Sequence, residues 1–252
     1  MLQQTQVDRV IPYYHKWLKD FPDYEILAKA SKMQLLSHRS GLGFNSRALR
    51  LQACAKLITE KWYILKKDKV KIWKNSIIQN SESKIQNSEI RNTLQTFPGI
   101  GPYTSAAICA FAWNQEVPVI DTNIRRVLIF LFKLPETITA KELEAFATKI
   151  IPKGKSRDRH NALMDYGAME LTARKTKIKS LSKQSKFEGS DRQVRWRIMK
   201  QLTKPPITNN QLPITVVQEE FPWKKVKEII EAMQKENLID INKKKNTILI
   251  AE

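Results

Sequence analysis

One run of 32 residues, Thr96 to Val127, constrains this chain more than any other: TFPGIGPYTSAAICAFAWNQEVPVIDTNIRRV. Gly99 and Gly101 lack Cβ, so each can take a positive φ and let a second molecule come close to the backbone. The helix expected after them, Thr104 to Ala112, begins with unpaired N–H groups and the positive end of its dipole. Such a terminus suits a phosphate. Ala106, Ala107 and Ala110 keep that helix slim, so a neighbour can pack close. A short loop then brings Asp121 to the head of a second helix, where Thr122 and Asn123 can also cap. Taken alone, these features also fit a plain loop between two core helices, with Asp121 as an N-cap.

Charge narrows the choice of partner. Lys and Arg number 44 against 25 Asp and Glu, a net +19 with a pI near 9.9. That balance favours a polyanion, either nucleic acid or an acidic membrane surface. No apolar run approaches the ~20 residues of a membrane span, and no signal-peptide pattern opens the chain. Nucleic acid is therefore favoured, with a cytoplasmic, nucleoid-associated location expected. With 252 residues, 42% of them hydrophobic, the chain is globular and two domains are expected. Cys54 and Cys109 are the only cysteines. They read as buried small residues, too few for a disulfide framework or for the four thiols an iron–sulfur cluster usually takes.

The remaining pattern is mostly helical. Val7, Val10, Ile11 and Tyr14 predict an amphipathic helix from Val7 to Leu18. Tyr24 to Leu36 and Arg47 to Trp62 predict two more. The pentapeptide Ile-Gln-Asn-Ser-Glu occurs at Ile78 and again at Ile85, and reads as a polar loop expansion. Leu128 to Phe132 is expected to carry the Asp121 helix inward. Thr139-Ala-Lys-Glu142 fits a capping box for a helix reaching about Ile151. Another helix is expected from His160; His160 and Asp165 suit acid/base work, but read more readily as caps or packing contacts. Thr172 to Gly189 is a basic loop with Arg174, Lys175, Lys177, Lys179, Lys183 and Lys186. Its lysines suit phosphate contact or simple solvation. Ser190 to Leu202 is a basic helix with Val194, Ile198 and Leu202 on one face. After a linker at 204–210 come helices Ile214–Phe221 and Trp223–Glu236, then strands Leu238–Ile241 and Thr247–Ile250 around Lys243-Lys244-Lys245. That order suggests a small winged-helix-like module.

Phe97-Pro98-Gly99-Ile100-Gly101 resembles the Leu-Pro-Gly-Val-Gly hairpin of the helix-hairpin-helix DNA glycosylases, and Val119-Ile120-Asp121-Thr122-Asn123 resembles their catalytic segment. The 22 positions from Gly99 to Asp121 suit that family. Met1-Leu2-Gln3-Gln4-Thr5-Gln6-Val7 is similar to the opening helix motif of its adenine glycosylases. Gly41-Leu42-Gly43-Phe44 before Arg47 resembles the family turn that leads into an arginine-bearing helix, although Arg39 stands where a tryptophan is usual. Asn161 to Ala168 resembles the helix before the cluster loop, and the cysteine-free loop after it resembles clusterless members.

The resemblance implies a mainly α, two-lobed glycosylase fold over residues 1–203, with lobes of roughly 22–130 and 1–21 plus 131–203. The winged-helix-like α+β module at 204–252 follows. It implies Asp121 as the catalytic carboxylate, Asn123 orienting the site and Tyr103 bonding near the reacting sugar. It further implies Gln4 filling the gap in the stack and strand contacts from the Gly99-Ile100-Gly101 turn and Thr104; Arg47 reads as a strand contact or a solvated helix face, and Lys183 of the basic loop suits phosphate contact. The partner implied is double-stranded DNA with a mismatched or damaged pair, bound by a monomer. No iron–sulfur cluster or other cofactor is expected; an alkali cation in the hairpin stays open. Strand-cutting relatives place lysine at the position of Tyr103, so a monofunctional enzyme acting on adenine opposite 8-oxoguanine or guanine is expected. In the family a catalytic glutamate stands just before the methionine that matches Met1. The expectation for the chain as written is therefore DNA binding with little or no excision, restored by an upstream segment bearing a carboxylate. Thymine or uracil mismatch glycosylases share the hairpin and the Asp-Thr-Asn segment. A non-catalytic DNA-binding protein is the reading from another class.

Overall fold

The structure is a computed structural model that describes residues 5, 7–39, 45–68, 87–181, 186–204 and 211–251. It is mainly helical with one small antiparallel sheet, the fold class expected. Gln4, the Gly41–Phe44 turn, Lys183 and most of the pentapeptide repeat lie outside the described residues. The second repeat's Asn87-Ser88-Glu89 open a helix rather than a loop.

The chain forms two compact units, Met1–Tyr63 with Ser185–Glu252, and Ile64–Gln184. These boundaries differ from those of the expected lobes.

In the first unit, α1 (Val7–Asp20) packs against α3 (Lys32–Arg39). Val10 and Trp17 are buried, whereas Val7, Ile11, Tyr14 and Leu18 form an exposed stripe. The predicted 24–36 helix is two helices, α2 (Tyr24–Lys29) and α3. Ala30 is extended, and Ser31 restarts the helix by a reciprocal cap with Gln34: Gln34 N donates to Ser31 Oγ at 3.2 Å and Ser31 N to Gln34 Oε1 at 2.8 Å. Buried Gln52 on α4 (Asn45–Asp68) then donates to the Ala30 carbonyl at 2.6 Å.

The C-terminal residues share one core with the basic helix. That helix is α11 (Asp191–Leu202). Val194, Ile198 and Leu202 cluster with Val217, Ile230, Met233, Leu238 and Ile248. Arg195 pairs with Glu236 and Arg197 with Glu220. The module is therefore α11, β1 (Leu212–Pro213), α12 (Ile214–Glu220), α13 (Val226–Lys235), β2 (Ile239–Asn242) and β3 (Thr247–Ile250), with sheet order β1-β3-β2. The basic helix therefore packs with the tail. Trp223 lies outside α13 and is 66% exposed, not on its apolar side as expected.

In the second unit, α5 (Asn87–Gln95) leads to the hairpin and α6 (Pro102–Ala107), which continues through a π turn at Ile108–Ala112. Next come α7 (Thr122–Phe132), α8 (Ala140–Lys149), α9 (Ser156–Met169) and α10 (Ala173–Thr176). The Thr139/Glu142 capping box forms as expected. Leu128 is buried, but Phe130, Leu131 and Phe132 are each 47% exposed, so the end of α7 does not run inward. Helix α9 packs along α7, and their junction carries the candidate site.

Candidate active site

The hairpin is a tight turn. Ile100 N donates to Phe97 O at 3.1 Å, and Gly99 takes φ 80°, with Pro98 before it. That combination is what a type II turn demands. Gly101 is the N-cap of α6 at φ −94°, so its use is space rather than a left-handed backbone. A Cβ there would meet nothing within 4 Å, and it has no side chain to cap the helix. Pro102 at N1 has no N–H to offer. The first-turn N–H groups of Tyr103 and Thr104 are thus uncapped by Gly101. Ile100 packs its side chain into the cluster of Leu94, Ala106 and Cys109.

Asp121 caps α7. Its Oδ1 accepts from Ile124 N at 2.7 Å, and the residue is half-buried rather than sealed. The N-cap role and a substrate-facing role are compatible, because capping uses only one carboxylate oxygen. Tyr103 is half-buried near it: burial pushes its phenol up, and the charge of Asp121 adds to the rise. The structure therefore brings Tyr103 and Asp121 within electrostatic reach of each other, and Asn123 follows in the first turn of α7. Arg47 belongs to the other unit, where burial lowers its guanidinium, with Arg50 adding to the effect.

Three supports of this site have partners that were not read from the sequence, although His160 was expected as a cap or packing contact. His160, fully buried within α9 rather than at its end, accepts from Val119 N at Nε2, 3.0 Å away. Its Nδ1 donates to Ser156 O at 2.6 Å, which fixes the neutral tautomer. Burial pushes its pKa down. The extended segment that ends in Asp121 is thereby hung from α9. Arg126 is 7% exposed and donates to Asn123 Oδ1 (2.8 Å), Gly167 O (2.6 Å) and Leu171 O (2.6 Å). Gly167 lets α9 come this close, since a Cβ there would lie 2.9 Å from Val127 Cγ2 and 3.1 Å from Asn123 Cβ. A buried arginine in the apolar run of α7 was the one available signal.

Arg125 ties the basic loop to the turn at Glu136, donating from Nη1 to Lys179 O at 3.4 Å and from Nη2 to Glu136 O at 2.6 Å. Arg174, Lys175, Lys177 and Lys179 there are exposed, although Lys175 pairs with Glu170. Both cysteines are buried with thiols pushed up by desolvation. Among the described residues, no group of three or more His, Cys, Asp or Glu is placed to hold a metal, and no helix is long and apolar enough to cross a membrane.

The helical fold is that of DNA glycosylases. It is similar to a thermostable thymine-DNA glycosylase (TM-score 0.55, 24% identity, 69% of this chain and 72% of that one). It is also similar to endonuclease III in a non-covalent DNA complex (TM-score 0.53, 18% identity, 68% of this chain and 71% of that one). Residues 1–153 match the family described as HhH-GPD superfamily base excision DNA repair protein, and the chain belongs to that family.

Curated relatives are adenine DNA glycosylases. The protein of Mycolicibacterium smegmatis is 29% identical over 236 residues, covering 85% of this chain and 73% of its own length. That of Buchnera aphidicola is 34% identical over 173 residues, 67% of this chain and 43% of its own length. The human protein is 30% identical over 176 residues, 68% of this chain and 29% of its own length. The chain thus spans less than half of the latter two.

Proposed function

We propose that this protein is a monofunctional DNA N-glycosylase that removes adenine mispaired with 8-oxoguanine or guanine. The observation that carries the reading is a half-buried aspartate, Asp121, capping α7 with one oxygen close to Tyr103 of the hairpin helix, in a chain similar along two thirds of its length to adenine DNA glycosylases.

A base stacked in a duplex is out of reach, so the nucleotide must be flipped out, at a cost of a few kcal/mol. The hairpin backbone and the first turn of α6 grip the strand, Thr104 adds a hydroxyl, and Gln4 fills the gap in the stack. Arg47 and Lys183 add phosphate contacts. The exposed wing lysines, Lys243, Lys244 and Lys245, add a cationic contact from the C-terminal module. Breaking the N-glycosidic bond builds positive charge on the sugar. Asp121 stabilises that charge through the oxygen that capping leaves unused. Asn123 orients the site, and Tyr103, held neutral, bonds near the sugar. A tyrosine cannot form a Schiff base, so strand cleavage does not follow excision. Protein side chains and water suffice for this chemistry, and a monomer suffices for binding.

The test is a panel of duplexes with A:8-oxoguanine, A:G, T:G and U:G pairs. It is run on this chain and on the chain extended upstream by a segment bearing a glutamate. The reading expects adenine release from the first two duplexes by the extended chain, with strands intact until alkali and no borohydride-trapped adduct. Release of thymine or uracil, or no release from any duplex, overturns it.

A further inference from the structure

We propose that the C-terminal module is a sequence-blind anchor on duplex DNA: its wing holds the phosphate backbone, and its helix pair, α12 with α13, stays off the grooves. The inference rests on the reading of DNA as the partner and gives the module its role there.

The wing is built to hold cations still. Strands β2 and β3 pair from Ile239 with Ile250 to Asn242 with Thr247, leaving Lys243 to Asn246 as the tip. Asn242 Oδ1 accepts from Lys245 N at 3.2 Å. Asn246 takes φ 50°, and its carbonyl accepts from Ile214 N at the head of α12, 3.1 Å away. Lys243, Lys244 and Lys245 are all exposed on this fixed tip and repel one another. Among the described residues none of them enters an ion pair. Asp240, the acid nearest before them in sequence, acts on Lys32 of α3 instead. Elsewhere the module pairs its cations internally: Arg195 with Glu236, Arg197 with Glu220, Lys224 with Asp191 and Lys225 with Glu228. A polyanion relieves the tip.

Helix α13 offers no such attraction. It is the second helix of its pair, the one that enters the major groove in helix-turn-helix proteins. Its buried side is Val226, Ile229, Ile230 and Met233. Its exposed charges are Lys227 and Lys235 against Glu228 and Glu231, which leaves no net charge. Set between the phosphates that flank a groove, the two carboxylates cost what the two lysines gain. The wing then has phosphates to hold and α13 no bases to read, so the contact is blind to sequence and to the lesion. The module is also packed in place. Leu36 of α3 lies in its core, and Lys32 donates to Asn237 Oδ1 at 3.1 Å. A second contact fixed in this way acts at high effective concentration.

The test is equilibrium binding of the full chain over a range of salt, with a thermal melt of each protein. The duplexes are one with an A:8-oxoguanine pair and two undamaged ones of different sequence. The proteins are wild type, the wing variant Lys243→Gln/Lys244→Gln/Lys245→Gln, and the α13 variant Lys227→Gln/Gln234→Ala. The expectation for the wing variant is affinity roughly tenfold lower by the same factor on all three duplexes, with a flatter salt slope and an unchanged or raised Tm. The α13 variant should stay within about twofold of wild type on each, since it loses no phosphate contact. Wild-type affinity in the wing variant, a loss confined to one duplex, or an equal loss in the α13 variant overturns the proposal. Should wild type bind none of the duplexes, the reading of DNA as partner falls and the inference with it. A uniform wing effect in a protein that, extended upstream, releases no base from any duplex removes the glycosylase reading and supports the anchor.

Discussion

Lowering pH should loosen the anchor of Asp121 through one imidazole. His160 is fully buried and neutral: Nε2 accepts from Val119 N at 3.0 Å, and Nδ1 donates to Ser156 O at 2.6 Å. Protonation puts a hydrogen on Nε2 that points at another N–H, so the fold disfavours the charged form. Burial is the leading cause of the lowered pKa, and the charge of Arg159 adds to it, while the bond to Ser156 opposes. The sign follows from linkage. The folded pKa lies below the unfolded one, so the unfolded chain takes up the proton first. The stability contributed is therefore whole above about pH 6.5 and is lost as pH falls below it. If His160 stays neutral in the fold down to pH 5.5, the loss from pH 7 is about 1.2 kcal/mol, the upper limit for one histidine. That corresponds to a Tm lower by roughly 2–5 °C for a chain of this size.

His160→Leu isolates the effect. At pH 7.5 it orphans the buried Val119 N–H, costing about 1–3 kcal/mol, but it removes the titration. Melts of both proteins from pH 5.5 to 8 should show the gap between them narrowing as pH falls. A gap that stays constant or widens would refute the reasoning, because His160 would then not be the group whose protonation the fold resists.

Two further outcomes follow from packing and charge. Gly167→Ala should lower Tm, since overpacking costs about 1–3 kcal/mol against roughly 1 kcal/mol gained in helix propensity; an unchanged or raised Tm would show that α7 and α9 can part freely. Replacing Lys243, Lys244 and Lys245 with glutamine should weaken DNA binding and flatten the plot of log K against log salt by up to about 0.9 per lost phosphate contact. An unchanged slope would take the wing out of the DNA interface.

The sequence reached the features that are local. A Pro-Gly pair needs a turn, Asp before Thr-Asn caps a helix, and Thr139 with Glu142 closes a capping box. All three are settled within four residues, so the residue types alone carry them. The break at Ala30 was equally local, written in Ser31 and Gln34, but the apolar spacing through Met33 masked it. What escaped were contacts across the fold. His160 meets Val119 from 41 positions away, and Arg126 meets Gly167 at the same separation. Neither residue type announces such a partner. The joining of α11 to the C-terminal helices was missed for a related reason. An apolar stripe at Val194, Ile198 and Leu202 specifies burial but not what covers it. Trp223 was drawn into a helix by its spacing, although the chain is still turning there and α13 begins at Val226.

Asp121→Asn tests the central claim most directly. Asparagine caps a helix as well as aspartate does, so folding should be unchanged while the charge facing the sugar is lost. With the chain carrying an upstream glutamate segment, the account predicts affinity for an A:8-oxoguanine duplex close to that of wild type, and a single-turnover excision rate lower by about two to three orders of magnitude. A variant that excises adenine at the wild-type rate would contradict it.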